Sequence, residues 1–213
     1  MKLIVKGIEP EEWKDFSETP GAVYQSKPCL REALYKEQGG ICAYCMQRLR
    51  NELSGKEGDS DISNRVEHIK CRDNYPQLQL DYQNMVLCCN GKTNGSTIHC
   101  DRKKENTDIS FSPLDTDFIE TISYKKDGTI SSSNRSWQTE MNLILNLNAN
   151  ILKANRAAVL RGIVNRLNRK KWKKSEVRRE FMNWNSIDTS GLYKSYCGVV
   201  VWYLNKKLKV TGK

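Results

Sequence analysis

The chain has 213 residues, enough for one large domain or two small ones with a substantial core. It carries 35 Lys and Arg residues against 25 Asp and Glu residues, a formal net charge of +10, and this excess of cations favours a polyanionic partner such as nucleic acid. No apolar run reaches the roughly 18 residues that would span a bilayer, and the first residues lack the features of a signal peptide. We therefore expect a soluble cytoplasmic protein with no membrane partner.

The predicted elements divide the chain into three segments. Residues 1–28 contain two proline turns and are predicted to form an irregular N-terminal arm. Residues 29–110 begin with a short helix that ends at a Gly-Gly pair, and they continue as a module rich in Cys and His with polar loops at 54–64 and 90–97. Residues 111–213 are predicted to form a β-hairpin around a Lys-Asp-Gly turn and then helices. The predicted fold class is α+β, with a mainly α-helical C-terminal region.

Cysteines are concentrated in the middle segment. The chain has eight of them, and in a cytoplasmic protein they favour metal binding over disulfides. Cys42 and Cys45 form a CxxC pair whose two thiolates can reach one ion. The second pair should comprise Cys100 and one of Cys88 and Cys89, because adjacent strand residues point to opposite faces. Thiolates select Zn²⁺, so we predict a structural zinc site.

A possible catalytic motif lies between the two halves of this zinc site. Glu67 and His68 are neighbours on a predicted strand. Such a pair suits metal-assisted phosphodiester cleavage, because the carboxylate can hold a divalent cation on the phosphate and the imidazole can take the proton from the attacking water. Asp101 opens the predicted helix after Cys100 and would supply a second oxygen ligand. Carboxylates are hard ligands suited to Mg²⁺ or Mn²⁺, so the sequence predicts a structural and a catalytic metal.

The order of these motifs resembles that of the HNH (ββα-metal) endonuclease family. The CxxC pair, the Glu-His pair, Asn84 followed by Met-Val-Leu-Cys, and Cys100 before a basic helix occur in that order. The stretches EQGGICAYCMQRL, VEHIK, DYQNMVLCC and LNLNANILKANRAAVL are similar to the HNH subunit of the two-gene Septu anti-phage systems, which also occur beside retrons. The resemblance implies a zinc-braced ββα-metal (HNH) nuclease module that cleaves DNA by default, with RNA such as tRNA as the alternative.

The resemblance also implies partners and residue roles. Its partners would be an ABC/SMC-like ATPase subunit and, beside a retron, a reverse transcriptase with its RNA–DNA. His68 would be the general base, Glu67 and Asp101 would bind the catalytic metal, and Asn84 would bridge the loop and hold the histidine-bearing strand. The structural zinc would be bound by four cysteines, with Cys89 favoured over Cys88: Cys42, Cys45, Cys89 and Cys100.

Other candidates stay open at this stage. Cys88, Cys71 and His99 are reserve ligands, although Cys71 also suits a buried core position and His99 also suits a surface loop. Arg102 and Lys104, on the predicted helix after the last cysteine, are expected to bind the scissile phosphate.

The C-terminal region leaves a second class of function open. The basic run at residues 166–179 includes Trp172 and is either a solvated helix face or a surface for the phosphate backbone. A zinc-stabilised nucleic-acid-binding or scaffold protein without catalysis would also account for such a run.

Overall fold

A computed structural model describes residues 1–51, 64–92 and 97–210. The predicted polar loops therefore lie largely outside the described residues. The α+β class is confirmed, since the described residues form eight α-helices and two small antiparallel sheets.

The N-terminal arm is more ordered than predicted. It contains helix α1 (Glu11–Ser17), whose first turn carries two acidic residues that suit the positive end of the helix dipole. Trp13 on this helix is fully buried, and its indole nitrogen donates a hydrogen bond to the Leu80 carbonyl 3.3 Å away. The prediction of an irregular arm is wrong here, because burial of Trp13 anchors the helix to the rest of the chain.

After its first helix, the middle segment contains two strands and then a second helix. Helix α2 (Pro28–Glu37) ends before the Gly-Gly pair, as predicted. Strands β1 (Asn64–His68) and β2 (Met85–Cys89) pair in antiparallel register, with the first residue of β1 opposite the last of β2. Helix α3 (Asp101–Lys104) follows. All five residues of β2 are buried, so this strand forms the centre of the module.

The predicted hairpin is present but shorter than expected. It comprises β3 (Ile122–Tyr124) and β4 (Ile130–Ser132). The residues before it form helix α4 (Thr116–Glu120), because the Asp115 side chain accepts a hydrogen bond from the Asp117 amide and caps the helix. The alternating pattern of the hairpin begins at Phe118 in the sequence and predicts a strand from there, and this prediction is wrong for Phe118, Ile119 and Glu120.

Four helices complete the C-terminal region: α5 (Arg135–Leu143), α6 (Asn150–Arg169), α7 (Lys174–Asn185) and α8 (Cys197–Val210). The apolar pattern of GLYKSYCGVVVWYLNKKL predicts a last helix that begins at Gly191, but α8 begins six residues later. The Asp188 side chain holds a turn there by accepting hydrogen bonds from the Ser190 and Leu192 amides.

The C-terminal region packs directly on the CxxC turn. The Tyr196 amide donates to the Met46 carbonyl 2.9 Å away, and the Gly198 amide lies 3.3 Å from the Met46 sulfur. One cluster of buried apolar residues extends from Met1 to Leu204 and includes five buried cysteines of the middle segment: Cys42, Cys45, Cys88, Cys89 and Cys100. Among the described residues, no helix is long and apolar enough to cross a membrane.

Candidate metal and catalytic site

Four buried cysteines converge in the middle segment: Cys42, Cys45, Cys89 and Cys100. Their sulfur atoms all lie within 4.8 Å of one another. The Cys42 and Cys100 sulfurs are 3.9 Å apart, and the Cys45 and Cys89 sulfurs are 3.7 Å apart. Tetrahedral zinc with Zn–S bonds of about 2.3 Å requires sulfur separations of about 3.8 Å. The cluster could therefore hold a structural metal such as zinc, and it contains Cys89, as predicted.

Three parts of the fold bring these sulfurs together. The CxxC turn is closed by hydrogen bonds from the Cys42 amide to the Gln47 carbonyl (2.9 Å) and from the Met46 amide to the Cys42 carbonyl (3.0 Å). Cys89 is the last residue of β2. Cys100 precedes α3 with a left-handed φ of 55°, and its amide donates to the Leu145 carbonyl. A metal at this position would join the turn, the strand and the start of the helix.

The reserve ligands lie outside this group of four. Cys88 is buried and pairs in the sheet with Arg65, which agrees with the alternation of adjacent strand residues. The Cys71 sulfur lies 3.4 Å from the Asn106 carbonyl. His99 is buried rather than on a surface loop, and its Nδ1 lies 3.2 Å from the Cys100 sulfur. An N–H group there would donate to a metal-bound thiolate and orient it.

A second group of side chains lines an open cleft of about 370 Å³ beside β1 and α3. His68 lies in it with its Nε2 2.9 Å from the Gln79 carbonyl. A carbonyl only accepts hydrogen bonds, so Nε2 carries the proton and Nδ1 keeps its lone pair. Burial lowers the pKa of His68 to about 4, and the Tyr24 ring packs against it edge-on with centroids 4.6 Å apart. His68 is thus a neutral, oriented imidazole with a free acceptor nitrogen.

Asn84 connects the two ends of the loop between the strands. Its Oδ1 accepts from the Lys70 amide at 2.8 Å, and its Nδ2 donates to the Lys70 carbonyl at 2.9 Å and to the Leu78 carbonyl at 3.1 Å. Lys70 is two residues beyond His68, and Leu78 is one residue before the carbonyl that binds the His68 ring. The amide side chain of Asn84 therefore fixes the loop that carries the Gln79 carbonyl, and this carbonyl orients the His68 ring.

Glu67 and Asp101 form a buried carboxylate pair on the inner wall of the cleft. Burial raises the pKa of Glu67 well above its usual range, and the nearby Asp101 carboxylate raises it further. One Glu67 oxygen accepts a hydrogen bond from the Tyr44 hydroxyl at 2.9 Å. The Asp101 Oδ2 is buried and accepts no hydrogen bond, although the Arg65 Nε lies 2.9 Å away as an ion-pair contact. Two adjacent carboxylates are hard oxygen ligands of the kind that a divalent cation prefers, and in this structure they pair with Arg65 and Lys104.

The structure corrects the expectation for Lys104. Its side chain is fully buried, with Nζ 2.9 Å from Glu67 Oε1 and 3.2 Å from the His68 carbonyl. Lys104 therefore faces the interior and joins α3 to the end of β1, so it is not available to a phosphate. Arg102, in contrast, lines the cleft, and its Nε donates to the Asn90 carbonyl at 2.9 Å.

Four contributors to the cleft were not identified from the sequence. Arg65 and Arg72 line it together with Arg102, Tyr44 binds Glu67, and Gln79 binds His68 through its backbone. Arg65 could have been found, because it is two residues before Glu67 on the same strand face. The other three come from turns and loops, where periodicity gives no signal.

Comparison with known proteins does not assign the chain to a family. A scan against protein-family models finds no match, and a search of curated proteins finds no significant relative. The HNH resemblance remains a prediction from the motifs.

Proposed function

We propose that the protein is an HNH endonuclease, a metal-dependent hydrolase of nucleic-acid phosphodiester bonds. The observation that carries the proposal is the convergence of the neutral His68 imidazole and the Glu67–Asp101 carboxylate pair on one arginine-lined cleft. A proton acceptor, a site for a hard cation and a positively charged rim are the three requirements of metal-assisted phosphodiester hydrolysis.

The protein groups have distinct tasks in this reaction. His68 Nδ1 takes the proton from a water molecule as the water oxygen attacks phosphorus in line. The Gln79 carbonyl, bound to Nε2, stabilises the imidazolium that results, and Asn84 keeps this carbonyl in place through the loop. Glu67 and Asp101 would hold Mg²⁺ or Mn²⁺, which supplies charge stabilisation for the phosphate and the leaving oxygen.

The cysteine cluster has a structural task in the same proposal. Zinc bound there would fix the position of Cys100, and Asp101 is the next residue along the chain. Bracing the start of α3 against β2 therefore sets where the Asp101 carboxylate points. The thiolates select zinc and the carboxylates select a harder cation, so the two metals do not exchange roles.

The wider role rests on the motif resemblance alone. On that basis the protein is the effector subunit of a bacterial anti-phage complex of the Septu or retron type, acting with an ABC/SMC-like ATPase. DNA is the default substrate. RNA such as tRNA is the alternative, because attack by water requires no 2′-hydroxyl group.

Metal-dependent cleavage of defined substrates tests the proposal. The purified protein, with and without its ATPase partner, is incubated with plasmid, single-stranded DNA and total tRNA in Mg²⁺ or Mn²⁺, beside the Asp101→Asn variant. We expect cleavage of one substrate class by the wild type and a loss of at least about 100-fold in the variant. Absence of cleavage on every substrate, with the partner present, would favour the zinc-stabilised binding protein instead.

A further inference from the structure

The net charge of the protein is concentrated at one place, which we call the basic corner: residues 166–180 and 206–209. Residues 166–180 contain eight Lys and Arg residues and two Glu residues, and residues 206–209 add three Lys residues. The basic corner therefore carries a charge of +9 out of the total of +10. The charge is local rather than spread over the surface.

Contacts between three helices make the basic corner a single surface. The end of α6, the start of α7 and the end of α8 meet at Trp172, whose ring centre lies 6.3 Å from that of Tyr203 on α8. The Lys207 ammonium lies 5.7 Å from the centre of the Trp172 ring. The turn that carries Trp172 is tight, with left-handed φ angles at Lys171 and Trp172. Cations that are distant in sequence are thus held side by side.

The acidic residues of the corner are already paired. Glu180 is 3.2 Å from Arg166, and Glu176 is 2.5 Å from Arg179. Four exposed cations have no carboxylate within ion-pair distance in the described part of the chain: Arg169, Lys170, Lys171 and Lys173. Their charges are available to a partner.

Stability of the fold does not account for this charge. Cations at the end of α6 suit the negative end of its dipole, but Lys173 and Lys174 lie at the positive end of α7, where cations are unfavourable. The large exposed apolar side chains of the described chain all lie outside the corner. A membrane surface would need such side chains as anchors, whereas a phosphodiester backbone needs only repeated cations.

We propose that the basic corner binds the phosphate backbone of nucleic acid at a position separate from the catalytic cleft. None of the residues that line the cleft belongs to it. The inference rests on the proposed nucleic-acid substrate, but it concerns binding and does not require cleavage. A backbone surface of this kind reads charge and shape rather than base sequence, so it would hold the substrate while the cleft cuts it.

Equilibrium binding of a four-fold variant tests the proposal. The variant Arg169→Gln/Lys170→Gln/Lys171→Gln/Lys173→Gln is compared with Lys14→Gln/Lys125→Gln/Lys126→Gln/Arg135→Gln, which removes the same charge from exposed positions elsewhere. Both are made in the His68→Ala background, so that the probes stay intact. Fluorescence anisotropy is measured with a 30-base-pair DNA duplex, a 30-nucleotide single strand and total tRNA at several salt concentrations.

We expect the corner variant to weaken binding of at least one probe by tenfold or more, while the control changes it less than twofold. The slope of log K against log salt should fall by about 3–3.5 if all four cations contact phosphates, since each lost contact removes about 0.7–0.9. Equal effects of the two variants, or none on any probe, would overturn the proposal. Cleavage is measured separately with each variant made in a background that keeps His68. A failure of the nuclease reaction is thereby distinguished from a failure of nucleic-acid binding.

Discussion

Replacing single cysteines distinguishes zinc ligands from buried thiols. Cys89 and Cys88 are adjacent, equally buried and chemically identical, but only the Cys89 sulfur belongs to the group of four. Cys89→Ala therefore removes one of four thiolates, and Cys88→Ala is its matched control.

The expected loss in Cys89→Ala follows from the binding free energy of structural zinc and the number of its ligands. Structural zinc contributes about 10–16 kcal/mol of apparent binding free energy, so one of four equivalent ligands corresponds to about 3–4 kcal/mol. That is a factor of about 100–1000 in zinc affinity, and it is a large part of a folding stability of about 5–15 kcal/mol. His99 Nδ1 lies 3.9 Å from the Cys89 sulfur, and its ligation in place of the lost thiolate would bring the loss towards the smaller figure.

The assay is zinc content by elemental analysis, chelator competition for affinity, and thermal unfolding. We expect one zinc per chain in the wild type and in Cys88→Ala, and weakened zinc binding with a lower melting temperature in Cys89→Ala. Loss of zinc from Cys88→Ala with full retention by Cys89→Ala would refute the assignment of the ligands. A wild type that contains no zinc after expression in zinc-supplemented medium would refute the site itself.

Three further predictions concern stability. Asn84→Ala removes three hydrogen bonds between the Asn84 side chain and the backbone, and it should lower the free energy of unfolding by about 2–4 kcal/mol. An unchanged midpoint of denaturant unfolding would contradict the bridging role of Asn84. Lys104→Met leaves a buried carboxylate without its cation and should cost about 3–5 kcal/mol, whereas the exposed Lys103→Met control should stay within about 0.5 kcal/mol. Gly128→Ala places a Cβ 2.0 Å from the Lys153 carbonyl oxygen at a φ of 85° and should cost more than about 3 kcal/mol. Gly21→Ala is the control: Gly21 is also at positive φ, but a Cβ there has no atom within 4 Å, so the change should cost about 1–2 kcal/mol. Equal melting temperatures of the two variants would refute the close approach of the Lys153 carbonyl to Gly128.

The metal cluster was predictable because its signal is local and chemically specific. The CxxC turn, the strand that ends at Cys89 and the cysteine before a helix each restrict where a thiolate can point. Strand alternation predicted that only one of Cys88 and Cys89 binds the metal, and the resemblance to the HNH motif favoured Cys89. The two central strands were predictable for the same reason, since buried β-branched and apolar residues flank both motifs.

The parts that were wrong depend on tertiary packing. Whether Lys104 faces solvent or the interior is decided by the buried carboxylate opposite it, which is 37 residues away in sequence. His99 is buried because the chain after the polar loop returns to the cysteine cluster, and nothing in a Gly- and Asn-rich sequence indicates that return. The order in the N-terminal arm comes from tertiary contacts, among them the buried Trp13 side chain and the Lys6–Glu37 ion pair.

Single-turnover cleavage by His68→Ala tests the central claim most directly. The measurement uses the substrate that the wild type cleaves, together with the zinc content and melting temperature of the variant. The neutral, oriented imidazole predicts a loss of about 100-fold to 10,000-fold in the rate, with zinc content equal to that of the wild type and a variant that remains folded at the assay temperature. A rate within threefold of the wild type would contradict His68 as the general base and, with it, the proposed mechanism.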